Sequence, residues 1–208
     1  MSGMHAVGDR AVLVDCADLD AVIALNAALS AAPPAGVVDI VPAARTVLVT
    51  FDPAIVASAA VAGWIRTAPP VPPGARADGD AVVIDVDYSG EDLAEVAALL
   101  SLSEREVVDA HTASVWRVAF VGFAPGFGYL VTESNRLVVP RRSSPRTSVP
   151  AGAVGLAGEF TGVYPRSSPG GWQILGRTDA VLWNPDATPP ASPALLTPGR
   201  VVRFREAS

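Results

Sequence analysis

Apolar positions change their period along this chain, and each change marks an expected boundary. "AVLVDC" (Ala11 to Cys16) alternates like a strand, and "LDAVIALNAALSAA" (Leu19 to Ala32) repeats apolar residues at helical spacing. "GVVDIVPA" and "RTVLVTFD" predict two further strands, joined by a short connection around Pro42 to Arg45. "AIVASAAVAGWIRTA" (Ala54 to Ala68) predicts a second helix. The order β-α-β-β-α suits a small split β-α-β unit of about 70 residues. His5 falls in a stretch expected to fray, and Cys16 is expected to be a buried apolar filler.

Periodicity then stops. "APPVPPGARADGD" (Ala68 to Asp80) is rich in Pro, Gly and small residues and predicts a linker. Domain boundaries follow: 1–70 a small α/β domain, 71–80 the linker, 81–208 a second domain. "AVVIDVDYS" opens the second domain as a strand. "EDLAEVAALLS" is a helix whose acidic start, Glu91 and Asp92, suits the positive end of the helix dipole. "SEREVVDAHT" is another short helix, with a capping box from Ser103 to Glu106. From Val115 onward, short apolar runs alternate with Gly, Pro and Ser-rich turns, the pattern of a β-barrel or sandwich. No repeat or heptad is visible.

Composition narrows the chemistry. At 208 residues the chain is long enough for a sizeable core. All 15 basic residues are arginine, which excludes a Schiff-base lysine, a biotinyl-lysine and an ordinary phosphate-loop lysine. One cysteine excludes an internal disulfide, and with only two histidines a zinc site built within the chain is not expected. An oxygen-ligand site for a divalent cation stays open. No apolar run reaches the roughly 18 residues needed to span a bilayer. The first residues do not resemble a secretory signal, so a cytoplasmic location, with no membrane contact, is the expectation. Net charge is −6 but unevenly spread. Residues 81–135 carry 2 arginines against 9 acids, whereas residues 136–208 carry 9 arginines against 4 acids. No basic tract is interleaved with aromatics, so nucleic acid is not an expected partner. A local anion site in the last third is the better expectation.

Three stretches concentrate the candidate chemistry: "VGFAPGFGYL" (Val121 to Leu130), "PRRSSPRTSVPAGAVGLAGEFTGVYP" (Pro140 to Pro165) and "SPGGWQILGRT" (Ser168 to Thr178). Glycine lets backbone approach a ligand closely and turn N–H groups toward an anion. Arginine supplies a planar, bidentate donor for phosphate or carboxylate. Between Arg136 and Thr178 the only acid is Glu159, a candidate general base. His111, at the end of its predicted helix, is the one plausible imidazole acid or base, with a packing role as the other reading. Phe123, Phe127 and Trp172 have two readings: a wall for substrate or partner, or barrel core.

"HTASVWRVAFVGFAPGFGYL", "PRRSSPRTSVPAGAVGLAG", "TGVYP" and "SPGGWQILGRT" closely resemble the allophanate hydrolase subunit 1 family. That family includes one component of bacterial ATP-dependent 5-oxoprolinase, the matching carboxyltransferase part of urea carboxylase, and a sporulation-kinase inhibitor. The resemblance implies an α+β protein: a small α/β N-terminal domain followed by a cyclophilin-like β-barrel. It implies a hetero-oligomer with a subunit 2 homologue bearing a related barrel, and a LamB/YcsF-like protein as a further subunit. The leading activity it implies is ATP-dependent opening of 5-oxoproline to glutamate, inactive in the chain alone. ATP would phosphorylate the amide oxygen before water attacks, which calls for positive charge around the transferring group. The alternatives are a carboxyltransferase or urea-amidolyase component, and an inhibitor of a sensor histidine kinase. His111, Arg146 and Glu159 are then the expected catalytic residues. Phe123, Pro125, Gly126, Phe127, Arg141, Gly152, Gly158, Gly170, Gly171, Trp172 and Arg177 are the expected substrate or phosphate contacts.

Overall fold

The computed structural model describes residues 3–69, 81–188 and 192–207. Residues 71–80, expected as the linker, lie outside that set. Backbone contacts divide the chain into two units, Met1–Ala77 and Asp78–Ser208.

The first unit contains β1 (Gly3–Val7), β2 (Ala11–Asp15), α1 (Leu19–Ala31), β3 (Val37–Pro42), β4 (Thr46–Phe51) and α2 (Ser58–Thr67). Its four strands form one antiparallel sheet in the order β1-β2-β4-β3. Alternation explains the core: Val12 and Val14 of β2 and Val47, Val49 and Phe51 of β4 all point to one face. There they meet Val22 and Leu29 of α1 and Val61 and Ile65 of α2. Cys16 is free and buried in this cluster, as the strand pattern predicts. The segment expected to fray is instead β1, an edge strand whose His5 Nε2 lies 2.8 Å from Asp15 Oδ2.

The second unit runs β5 (Val82–Val86), α3 (Leu93–Leu100), α4 (Glu104–Ala113), β6 (Trp116–Val121), β7 (Gly128–Val131) and a 3-10 turn (Asn135–Leu137). It continues with β8 (Arg146–Val149), β9 (Ala153–Ala157), β10 (Phe160–Val163), β11 (Ser168–Gly170), β12 (Gln173–Arg177) and β13 (Val201–Glu206). Seven strands form a sheet in the order β12-β9-β10-β7-β6-β13-β5, with β8 and β11 paired apart from it. β13 is parallel to β5, and the remaining pairs are antiparallel. The two ends of the sheet nearly meet. Just past β5, Asp87 exchanges both backbone hydrogen bonds with Arg177 at the end of β12, each 2.8 Å. This bridge turns an open sheet into a nearly closed barrel, as the β-barrel expectation requires. Only glycine fits beside it: a Cβ built on Gly176 falls 2.2 Å from the Asp87 carbonyl oxygen.

Alternation along β9 separates two cores. Val154 and Leu156 face the main core with Trp116, Val118, Leu130, Leu175 and the apolar faces of α3 and α4. Ala153 and Ala157 face the opposite side, packed with Phe127, Tyr164, Trp172 and Ile174. The capping box forms as predicted: Ser103 Oγ accepts from the Glu106 amide, and Glu106 accepts from the Ser103 amide. The α3 boundary differs. Asp92 is the N-cap, but its side chain makes no capping bond because it is engaged elsewhere.

Candidate functional site

The residues singled out in the sequence fall into three sets. The first surrounds His111 in the main core. Its imidazole is fully buried and packs against Phe204 at a ring-centroid distance of 4.4 Å. Thr161 Oγ1 donates its proton to the Gly155 carbonyl at 3.1 Å. It therefore accepts from His111 Nε2–H at 2.9 Å, which leaves Nδ1 to accept from the Tyr88 hydroxyl at 2.7 Å. Every polar atom of the ring is satisfied inside the protein. His111 thus ties α4 to β10, and both ring nitrogens of the expected acid/base are engaged within the fold.

Burial lowers the His111 pKa from 6.5 to about 3. A depressed value means that the fold favours the neutral ring. That contribution is complete above the unfolded value and is lost as pH falls from about 6.5 toward 3. The second unit should therefore lose about 2 kcal/mol between pH 7.5 and pH 5 through this residue alone. Denaturant titrations at both pH values should show the loss in the wild type and a much smaller one in His111→Gln.

The second set is a buried ion cluster. Asp92, 2% exposed, accepts from three directions. Arg146 donates from Nη1 to Oδ2 at 2.9 Å and from Nη2 to Oδ1 at 2.8 Å, a planar fork on the carboxylate. Arg142 donates from Nη1 to Oδ1, and the Ile174 amide donates to Oδ2 at 2.7 Å. Burial pushes the Asp92 carboxyl up. The hydrogen bonds from Arg146 and Ile174, with the charges of Arg146 and Arg142, outweigh it and hold the group below the usual carboxylate range. The fork of Arg146, an expected catalytic residue, is engaged by Asp92 and, at 3.1 Å, by Glu91. The sequence marks Asp92 only as a helix-dipole acid. Its arginine partners lie 50 and 54 residues further along the chain and Ile174 lies 82 further, beyond any local spacing rule.

The third set lies on the aromatic face. Phe127, Tyr164 and Trp172 are buried there, with Tyr129 and Phe160 half-buried beside them. The rings meet edge to face: Phe127 to Trp172 at 5.3 Å, Phe127 to Tyr164 at 5.5 Å, Tyr129 to Phe160 at 5.7 Å. Phe127 and Trp172 thus form the floor of this face rather than a solvent wall. Phe123 does not join the floor. Its ring is 58% exposed and leans on Phe127 and Tyr164, while its backbone sits at φ +67, a left-handed conformation costly for any residue with a Cβ. Pro125 is exposed in the same loop. Gly126 lies against Leu182 and Trp183, so the loop adjoins a second exposed apolar segment, Val181 and Trp183.

The remaining expected contacts scatter. Gly170 and Gly171 border the aromatic face, but a Cβ on Gly170 would fall 2.2 Å from the Tyr164 hydroxyl. A Cβ on Gly152 would fall 2.1 Å from the Thr178 carbonyl oxygen. At Gly152 and Gly170 the missing Cβ admits neighbouring chain, whereas the Cβ position of Gly171 meets nothing closer than Pro145 at 3.6 Å. Gly158 and Glu159 form the exposed turn between β9 and β10. Arg177 is exposed beside Gly152, with Asp179 at 3.4 Å. Arg141 is exposed and, among the described residues, makes no hydrogen bond or ion pair of its own. Tyr129 and Tyr164, which complete the aromatic face, carry no distinguishing signal in the sequence, although both stand inside its motifs.

Among the described residues, no group of three or more His, Cys, Asp or Glu is arranged to hold a metal ion, and no helix is long and apolar enough to cross a membrane.

Comparison with known proteins places this geometry in a family. Over 126 residues the chain is 51% identical to the B subunit of the 5-oxoprolinase of Bacillus subtilis (strain 168), an alignment covering 59% of this chain and 51% of the relative. The chain thus spans about half the length of the curated relatives it matches. The crystal structure of TTHA0988 superposes with a TM-score of 0.78 at 36% identity, covering 96% of this chain and 40% of that one. The urea amidolyase of K. lactis shares the fold at a TM-score of 0.75 and 18% identity, covering 99% of this chain and 15% of that one. Residues 2–193 match the family model described as "Carboxyltransferase domain, subdomain C and D". The chain belongs to that carboxyltransferase-domain family.

Proposed function

We propose that this chain is one subunit of an ATP-dependent 5-oxoprolinase, opening 5-oxoproline to glutamate together with a subunit 2 homologue and a LamB/YcsF-like subunit. The observation that carries the reading is the 51% identity to a component of the Bacillus subtilis 5-oxoprolinase. Two structural features support a shared site. Phe123, Val181 and Trp183 expose apolar surface on adjoining segments, as interfaces commonly do. The described residues also offer no buried acid or base open to a substrate, because His111 and Asp92 are both committed within the fold. Glu159, exposed and without a bonded partner among the described residues, is the one carboxylate of the expected set left available for proton transfer. ATP, and any divalent cation with it, is bound mainly by partner chains in this reading.

A carboxyltransferase or urea-amidolyase component is the second reading, favoured by the family model itself. Since the chain has no lysine, carboxylated biotin would then arrive on another protein. The two readings separate on co-purification of the chain with its subunit 2 homologue, followed by assay of the complex. Release of glutamate from 5-oxoproline is expected, with little or none from the chain alone. Carboxyl transfer from free carboxybiotin without glutamate release would favour the second reading. Full activity of the purified chain by itself would contradict both.

A further inference from the structure

The adjacent arginines Arg141 and Arg142 differ in their surroundings: Arg142 is bonded to Asp92 and Arg141 is exposed. The Arg142 amide donates to the Gly171 carbonyl at 2.8 Å, and Gln173 Nε2 approaches the Pro140 carbonyl at 3.5 Å. These two contacts hold residues 140–142 alongside 171–173. Arg142 is bonded to Asp92, whereas Arg141 is exposed on a segment held beside Gly171, the neighbour of Trp172 in the aromatic face. The charge of Arg141 is felt by both Tyr129 and Tyr164, where it opposes the upward push of burial on their hydroxyls.

We infer that Arg141 binds the carboxylate of a small acid whose compact body rests on the exposed edge of this aromatic face, under the ring of Phe123. Three observations converge on that assignment. Arg141 is a cation without a bonded partner among the described residues. The segment carrying it is held from behind by Arg142 and Arg146 on Asp92, so its backbone is fixed before a ligand arrives. Phe123 keeps a strained left-handed backbone while its ring stays exposed, an arrangement that packing within the chain does not require. A guanidinium fork beside ring faces matches a carboxylate attached to a flat amide or short apolar body. The inference rests on the 5-oxoprolinase reading for its ligand, 5-oxoproline, and on the geometry for its residue.

The test uses the co-purified complex and follows the Trp172 indole N–H by NMR during titration. The probes are 5-oxoproline, its neutral carboxamide and inorganic phosphate. 5-oxoproline should shift the resonance and the carboxamide should not. Arg141→Ala should weaken 5-oxoproline binding roughly 10- to 150-fold, the loss of one charge-assisted contact. Arg141→Lys should restore it only in part, since lysine presents no planar fork. Phe123→Gly, which suits the left-handed backbone, should weaken binding without lowering the melting temperature. In turnover, Arg141→Ala should raise KM for 5-oxoproline by a similar factor with kcat little changed. Unchanged affinity and KM in Arg141→Ala would overturn the inference while leaving the activity reading intact. Binding that depends on Arg141 in a complex without turnover would overturn the activity reading and keep the site. Phosphate binding more tightly than 5-oxoproline would overturn the carboxylate assignment.

Discussion

Asp92→Ala should lower the melting temperature of the second unit by roughly 10–20 °C, the largest single effect expected in this protein. The carboxylate is 2% exposed and neutralises two guanidinium groups, of which Arg146 is itself only 19% exposed. Removing one partner of a buried pair costs about 3–5 kcal/mol, because the partly buried guanidiniums left behind keep only the exposed Glu91 and Glu95 as counter-charge. For a unit of this size each kcal/mol moves the midpoint by a few degrees. The Ile174 amide would also lose its acceptor, opening the contact between the start of α3 and β12. Arg146→Ala should cost less, since Arg142 still pairs with Asp92. A thermal melt of Asp92→Ala within about 2 °C of wild type would show that the cluster contributes nothing net.

Gly176→Ala should be nearly as damaging, for a steric reason. The added Cβ would stand 2.2 Å from the Asp87 carbonyl oxygen and 2.9 Å from Val86 Cγ1. The first obstacle is backbone, and it belongs to the bridge that joins the two ends of the seven-stranded sheet. Relieving the clash means giving up the two hydrogen bonds between Asp87 and Arg177. A cost of about 3 kcal/mol, at the upper end of overpacking effects, is expected. Hydrogen exchange localises it: the Asp87 and Arg177 amides should lose protection first. A variant with unchanged protection at both amides would mean that the barrel closes without this contact.

What was legible in the sequence is what depends on local spacing. The capping box at Ser103 and Glu106, the helical period from Leu19 and the alternation in β2 and β4 all express contacts within a few residues. The edge strand β1 was not legible, because "GMHAV" has no apolar alternation and is held by pairing to β2 rather than by burial. The roles of the polar residues were hidden for a different reason. His111 meets Thr161 fifty residues away, and Asp92 meets Arg146 fifty-four residues away. Local context makes the first look like an available base and the second like a simple dipole acid. The arginine-rich motif could be recognised as a unit, but only the folded contacts show that Arg142 and Arg146 are both bonded to Asp92.

In the proposed reading, this chain is a required but partial contributor to an ATP-driven 5-oxoprolinase. The most direct test of that reading is to purify each subunit separately and recombine them, following ADP and glutamate in the same reaction with and without this chain. Glutamate release coupled to ADP formation is expected only when this chain is present, and none from this chain alone. Equal glutamate release when this chain is omitted would contradict it.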